Sequence, residues 1–231
     1  NNWISQQNRR SNTGSNRLGP YSDKKERAKE TKRLVIDLPH ITTKQTKKIQ
    51  TFIEDALEFN KTHNIFVRKS KEDVYHKDVI DCFPLVEKIT PNKTVLDLGS
   101  GGGFPGILLA IIKQKNKFFL LERNEKKSYF LKKTIKRLRL TNVVVINKNI
   151  TKNNTFGKFD IITARAFSDI ENILKVTKLN TKTSTRLLLL KGRDEKIKKE
   201  IKLLDKNKYL CEIINLRNNK TERNMVIITM R

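Results

Sequence analysis

Residues 95–110 read VLDLGSGGGFPGILLA, with four glycines among the five residues from Gly99 to Gly103. Glycine loses more backbone freedom on folding than any other residue, so such a cluster marks a tight turn or a close approach of backbone to a ligand. Val95, Leu96 and Leu98 have the continuous apolar character of a buried parallel strand. Ile107 to Ile112 suit a helix, with Pro105 placed for its first position. The unit is strand, glycine loop, helix. A helix N-terminus offers unpaired N–H groups and a partial positive charge, which suits an anionic or polar cofactor.

The chain from Thr94 onward repeats that alternation. Apolar runs predict strands at 94–98, 118–122, 143–147, 159–164 and 187–191. Helical stretches fall between them at about 105–115, 125–139, 169–178 and 194–205. Strand–helix alternation of this kind predicts an α/β fold built on a doubly wound, Rossmann-like parallel sheet. YLCEIINL and NMVIITM then follow closely with no helix between them, so the sheet is expected to end in an antiparallel hairpin, with an antiparallel strand at its edge.

Before Thr94 the pattern is helical. Thr42 and Gln45 have capping-box spacing, and Ile49, Phe52, Ile53, Ala56 and Leu57 form one apolar stripe. Ser70 with Asp73 suggests a second cap, opening a helix through Val74, Val79, Ile80 and Phe83. Residues 41–90 therefore read as an N-terminal helical cap on a domain spanning 91–231. Residues 1–40 are rich in Asn, Ser, Arg and Lys and read as a basic, disordered arm.

Charge narrows the partners. Fifty Lys and Arg stand against 24 Asp and Glu, a formal net charge of +26. That field favours a polyanion, of which nucleic acid is the commonest. No apolar run approaches a membrane span and the start has no signal-peptide pattern. Cys82 and Cys211 make an unpromising disulfide framework, so a cytoplasmic location is expected. His40, His63 and His76 have no metal-ligand spacing with each other or with the cysteines, and no metal is expected. Nothing in the pattern suggests a dimer seam, so a monomer is expected.

Two cofactors compete for the glycine loop. Gly101, Gly103 and Gly106 match the dinucleotide fingerprint G-x-G-x-x-G. The same loop, begun at Asp97, has the D-x-G-x-G-x-G layout of class I methyltransferases, through Asp97, Gly99, Gly101 and Gly103. The chain has too few strands for a complete dinucleotide fold plus a substrate domain, and the terminal hairpin suits the methyltransferase sheet. Both cofactors want an acid at the end of the second strand to accept ribose hydroxyls, and FFLLERN supplies Glu122. A small NAD-binding oxidoreductase and a non-catalytic basic RNA-binding protein on a methyltransferase fold stand as alternatives to an S-adenosylmethionine-dependent enzyme.

The loop after the fourth strand, ITARAFSD, lacks the Asn/Asp-Pro-Pro-aromatic motif used for exocyclic amines. No cysteine lies near it to form a covalent pyrimidine adduct. An acceptor with a free lone pair, such as guanine N7, needs neither, because positioning and charge stabilisation suffice.

DLGSGGGFPG, FFLLERNEKKSYFL, FDIITARAF and LLLLKG together resemble the bacterial small-subunit ribosomal RNA guanine-N7 methyltransferases, the glucose-inhibited-division B family. The resemblance runs from about Ile41 to the C-terminus. It implies a class I fold, S-adenosylmethionine as donor, and N7 methylation of one guanine in 16S ribosomal RNA. It implies cofactor contacts at Gly99 and Phe104, with Glu122 on the ribose and Ile150 and Thr151 beside the adenine. It places Arg165 near both cofactor and acceptor, and sets His76 and Asp81 at family positions on the second cap helix. Thr151 stands where the family commonly has an acid, Tyr75 where an Arg is usual, and Cys82 replaces a Ser. Arg68, Lys69, Lys71 and Lys191, with Arg165, are the bases expected nearest the cofactor mouth and the first choices for RNA phosphate contact. The run KKSYFLKKTIKRLRL is expected to be a solvated helix.

Overall fold

The computed structural model describes residues 36–216 and 222–231. Residues 1–35, which hold most of the expected arm, lie outside the described residues. Just after them, Leu38 is buried, and the Asp37 N–H and carbonyl both bond the Tyr75 hydroxyl, at 3.1 and 3.0 Å.

Helix α1 spans Thr43–His63 and begins as its sequence dictates. Thr42 Oγ1 accepts from the Gln45 N–H while Gln45 Oε1 accepts from the Thr42 N–H, satisfying two of the donors that a helix start leaves unpaired. Ile49, Phe52, Ile53 and Ala56 are buried. Ser70 Oγ likewise accepts from the Asp73 N–H at 3.0 Å, opening α2 (Lys71–Val74). Here a regular helix does not continue. Val74 and Val79, five residues apart, are both fully buried, and a π-helical turn over Tyr75–Val79 absorbs the spacing that an α-turn would misalign. The short helices α3 (Ile80–Cys82) and α4 (Pro84–Lys88) complete the cap.

The sheet has seven strands: β1 (Thr94–Leu98), β2 (Lys117–Leu121), β3 (Val143–Ile146), β4 (Phe159–Arg165), β5 (Thr181–Lys191), β6 (Tyr209–Asn215) and β7 (Asn224–Met230). Their order is β3-β2-β1-β4-β5-β7-β6. The first five run parallel; β7 is antiparallel to both β5 and β6. The antiparallel strand therefore sits one place in from the edge, and β6 is outermost. The burial patterns give the reason. Residues 224–228 of β7 are all buried and require cover on both faces, whereas β6 alternates half-buried with exposed residues and tolerates an edge. β5 starts at Thr181, six residues before its apolar run, where Thr181 pairs with Phe159 of β4; Lys182–Ser184 are polar and exposed, so the apolar pattern does not show this extension.

Helices α5 (Gly106–Ile112), α6 (Glu125–Leu138), α7 (Ile170–Thr177) and α8 (Asp194–Lys202) join the strands. The α5 helix begins one residue after Pro105, which serves as its N-cap residue. Val95, Phe118 and Leu120 pack with α1, α5 and α6, while Leu96, Leu98 and Leu121 pack with α7 and α8. Gln45 Nε2 ties the start of α1 to the Ile111 and Ile112 carbonyls at the end of α5. Strand order reverses at β1, whose neighbours β2 and β4 lead to opposite halves of the sheet. A crevice beyond the C-terminal ends of β1 and β4 follows from that topology. Among the described residues no helix is long and apolar enough to cross a membrane.

Candidate functional site

The loop after β1 takes its shape from three glycines on the left-handed side of backbone space: Gly99 (φ +65°), Gly101 (+53°) and Gly103 (+93°). The Gly99 N–H donates to the Leu121 carbonyl at 2.8 Å, locking the loop to the end of β2. Glu122, buried at the tip of β2, accepts from the Gly101 N–H at 2.9 Å and from the Asn124 N–H at 2.8 Å. One carboxylate thus holds the glycine loop and the N-cap of α6 together.

Asp97 lies beneath the loop and is 1% exposed. Its Oδ1 accepts from the Thr163 hydroxyl of β4 at 2.8 Å, while Oδ2 has no hydrogen-bond partner among the described residues. Burial pushes its pKa up to about 6, against the pull of the Ser100 and Thr163 hydroxyls and the Arg165 charge. Gly106 fits against this acid: a Cβ there would stand 2.3 Å from Leu120 Cδ2 and 2.6 Å from Asp97 Oδ2.

A cleft of about 890 Å³ opens over the loop, lined by Gly99–Gly102 and Phe104 on one side and by Ala164–Asp169 on the other. Small-molecule sites run from about 300 to 1,000 Å³, so the cleft admits a nucleoside-sized ligand. Two aromatic rings rest on the bare backbone of the loop. A Cβ at Gly99 would stand 2.8 Å from the Phe167 ring, and one at Gly102 would stand 2.7 Å from Phe66. Phe167 is set there by Ala166, a non-glycine residue at φ +53°, a conformation that clusters at functional turns. Phe104 packs tilted against Phe52 of α1 at 4.7 Å, and the Arg165 guanidinium carbon stands 5.9 Å from the Phe104 ring centre.

Arg165 ends β4 and reaches across to the cap. Its Nη1 donates to Asp78 Oδ1 at 2.6 Å. Arg68 Nε donates to Oδ2 of the same carboxylate at 2.8 Å, and Arg68 Nη2 to Oδ1 at 3.1 Å. One buried acid in the π-helical turn therefore orients two arginines that line the cleft. Burial opposes the Arg165 charge, but Cys82, Asp78 and Asp81 around it raise its pKa on balance. A second pair joins Arg223 Nε to Asp81 Oδ2 at 2.9 Å, tying the start of β7 to α3. Cys82, buried among these groups, has its thiol pushed up to about 12 by burial and stays protonated.

The expected site residues divide by place. Gly99, Gly101, Phe104, Arg68, Arg165 and Lys191 line the cleft, with Asp97 and Gly103 in the layer beneath. Glu122 stands behind Gly101 and does not itself face the cleft lining. Ile150 and Thr151 are not in that lining either. Ile150 is buried with Leu96 and Leu121, and the exposed Thr151 closes a turn, its Oγ1 accepting from the Asn153 N–H at 3.3 Å. Lys191 is mostly buried and donates to Glu200 at 2.7 Å and to the Ser168 carbonyl at 2.7 Å. Lys71 pairs with Glu54 at 2.6 Å, and Lys69 is exposed. His76 is exposed, with its ring 5.1 Å from that of Tyr75. Asp78, Phe66, Phe167 and Glu200 were not singled out by sequence. Only the five-residue apolar spacing across the π-helical turn hints at Asp78. No group of His, Cys, Asp and Glu able to hold a metal ion occurs among the described residues.

Comparison with known proteins places this geometry. A family model described as rRNA small subunit methyltransferase G matches residues 45–227. The ribosomal RNA small subunit methyltransferase G of Brachyspira hyodysenteriae is 38% identical over 192 residues, covering 82% of this chain and 93% of that one. Its counterpart in Borrelia turicatae is 33% identical over 192 residues, covering 81% and 91%. A SAM-dependent methyltransferase from Aquifex aeolicus superposes with a TM-score of 0.53 at 18% identity, over 68% of this chain and 92% of that one. A tRNA (m1A58) methyltransferase from the same organism gives 0.53 at 18% identity, over 66% and 68%. These structures share the fold, the α/β architecture of class I methyltransferases.

Proposed function

The chain belongs to the rRNA small subunit methyltransferase G family, and from that premise we propose that it methylates N7 of one guanine in 16S ribosomal RNA. It is an S-adenosylmethionine-dependent rRNA methyltransferase; the NAD-binding and non-catalytic readings lose their footing with the family. The observation that carries the site assignment is the glycine loop, pinned by Glu122 at the sheet's switch point, facing a cleft overlooked by Arg165.

The residues present fit the donor. Gly99, Gly101 and Phe104, over Asp97 and Gly103, form a bare-backbone cradle for its methionine end and ribose. Glu122 uses one lone pair of each oxygen on the loop and on Asn124, and a carboxylate has about four acceptor sites, so capacity for ribose hydroxyls remains. Ile150 and Thr151, which follow β3 and stand outside the cleft lining, are proposed to border the adenine, with the Thr151 hydroxyl in place of an acid. When bound, S-adenosylmethionine supplies an electrophilic methyl group on a sulfonium.

The chain's own part is placement. Guanine N7 carries its lone pair in the plane of the base and loses no proton on methylation, so no side chain need act as a base. Arg165 and Arg68, held in fixed orientation by Asp78, retain unused guanidinium donors for the RNA phosphate or base edge. Lys69 and Lys71 extend the same basic rim, whereas Lys191 is held by Glu200 and serves to fix the Ser168 loop. The enzyme is proposed to act as a cytoplasmic monomer without a metal.

The test is methyl transfer from labelled S-adenosylmethionine to small ribosomal subunits lacking the modification, with the nucleoside identified by mass spectrometry. 7-Methylguanosine is expected. A different methylated nucleoside overturns the acceptor atom, and no transfer to any ribosomal RNA overturns the reading.

A further inference from the structure

The exposed face of α6 carries an arrangement that folding does not use. Tyr129 is 61% exposed, a large fraction for an aromatic side chain. Its helical neighbours three and four residues away include Lys126, Lys132 and Lys133, all exposed. Across the helix pair, Tyr129 lies 6.3 Å from the ring of Phe59, which in turn sits tilted against His63 at 4.3 Å. Phe59 is anchored from below by buried Phe130 at 5.1 Å, so the rings form a fixed ladder rather than a loose surface residue.

Lys127, on the same helix as Tyr129, lines the cleft, as does Phe66 in the segment that follows α1. An aromatic platform ringed by ammonium groups is the chemistry of single-stranded nucleic acid binding: bases stack on rings while lysines neutralise phosphates. The acids nearby leave this face basic: Asp55 pairs with Arg137 and also feels Lys133, Glu58 pairs with Lys61, and Glu125, four residues before Tyr129, is one acid against three lysines.

We propose that the Tyr129 face of α6 is a second RNA-docking surface, on which an unpaired segment of the ribosomal RNA, next to the target nucleotide, stacks a base on Tyr129 and sets phosphates against Lys126, Lys132 and Lys133. The proposal rests on the ribosomal RNA reading above. It makes the contact a determinant of RNA affinity and not of donor binding or chemistry.

Two surface variants test it, Tyr129→Leu and the triple change Lys126→Gln, Lys132→Gln, Lys133→Gln. Binding to unmodified small-subunit ribosomal RNA is measured from low to moderate salt, alongside donor affinity and methyl transfer. Tyr129→Leu is expected to weaken RNA binding about tenfold, within the range of one base–aromatic stack. The triple variant is expected to flatten the log–log salt slope by about two, at about 0.7 per phosphate contact on single strands. Donor affinity and kcat at saturating RNA should stay at wild-type values in both. Wild-type RNA affinity and salt slope in either variant overturn the proposal, even if the wild-type chain transfers methyl groups. Wild-type RNA binding through this face without methyl transfer would instead overturn the catalytic reading and leave this surface standing.

Discussion

Asp78 and Arg165 meet at 2.6 Å although 87 residues separate them in sequence, and the same carboxylate takes two hydrogen bonds from Arg68. The cap and the end of β4 are joined through one buried acid whose two partners both face the cleft. Replacing it tests whether the arginines must be held. Asp78→Asn keeps the shape and removes the charge. We expect kcat/KM toward small subunits to fall about 10- to 100-fold, as positioning interactions of a few kcal/mol imply, with donor affinity nearly unchanged. Stability should fall by about 2 kcal/mol, less than the cost of breaking a fully buried pair because both guanidinium groups are partly exposed. Equal kinetics in the variant would show that Arg165 needs no anchor.

Asp97 predicts a pH dependence of stability. Its native pKa of about 6 lies above the ordinary aspartate value of 3.8, so between those values the folded state binds more protons than the unfolded one. Stability then falls as pH rises through that window: the burial cost is absent below about pH 4 and complete above about pH 6. Denaturant unfolding of wild type and Asp97→Asn at pH 4 and pH 7 checks this. The wild type should lose about 3 kcal/mol relative to the variant over that range, from roughly two pKa units at 1.36 kcal/mol each. A difference that does not change with pH would mean the buried carboxylate titrates normally.

Gly106 is expected to be intolerant for a packing reason. An alanine Cβ would overlap the buried Leu120 and Asp97 side chains, so those side chains or α5 itself must shift. Gly106→Ala should cost about 1–3 kcal/mol, the usual penalty of overpacking a tight core, read as a lowered Tm. An unchanged Tm would show that α5 has slack.

Much of this framework was legible in the sequence because the signals are local. The glycine loop, the Thr42 and Ser70 caps, the acid ending β2 and the terminal hairpin each announce themselves within a few residues. What escaped is non-local or depends on burial. Asp78 reads as one more charge on a helix until the π-helical turn swings it inward. Lys191 reads as a free base until Glu200 closes on it. Thr181–Arg186 carries no apolar pattern, so the first half of β5 is visible only through its pairing with β4 and β7. The antiparallel strand's inner place follows from the burial of β7 on both faces, which the short hairpin motif alone does not state.

Glu200 yields a further expectation. Its Oε2 accepts from Lys191 and from the Ile170 N–H, and Lys191 also donates to the Ser168 carbonyl, so the pair clamps the loop that carries Phe167. Glu200→Ala leaves Lys191 without its counter-charge and frees that loop. Amide hydrogen exchange over 166–170 should quicken, and kcat/KM should drop about tenfold, of the order seen when a positioning element loosens. Unaltered exchange would remove the clamp from the account.

The measurement that bears most directly on the central claim is a calorimetric titration of S-adenosylmethionine into the wild-type chain and into Gly101→Val. Gly101 sits at φ +53°, with its N–H on Glu122 and its backbone on the cleft, so valine distorts the cradle where the donor must lie. Saturable binding to wild type, its loss in the variant, and retained affinity of the variant for ribosomal RNA are the predicted result. Equal donor binding by both chains would contradict the placement of the donor in this loop.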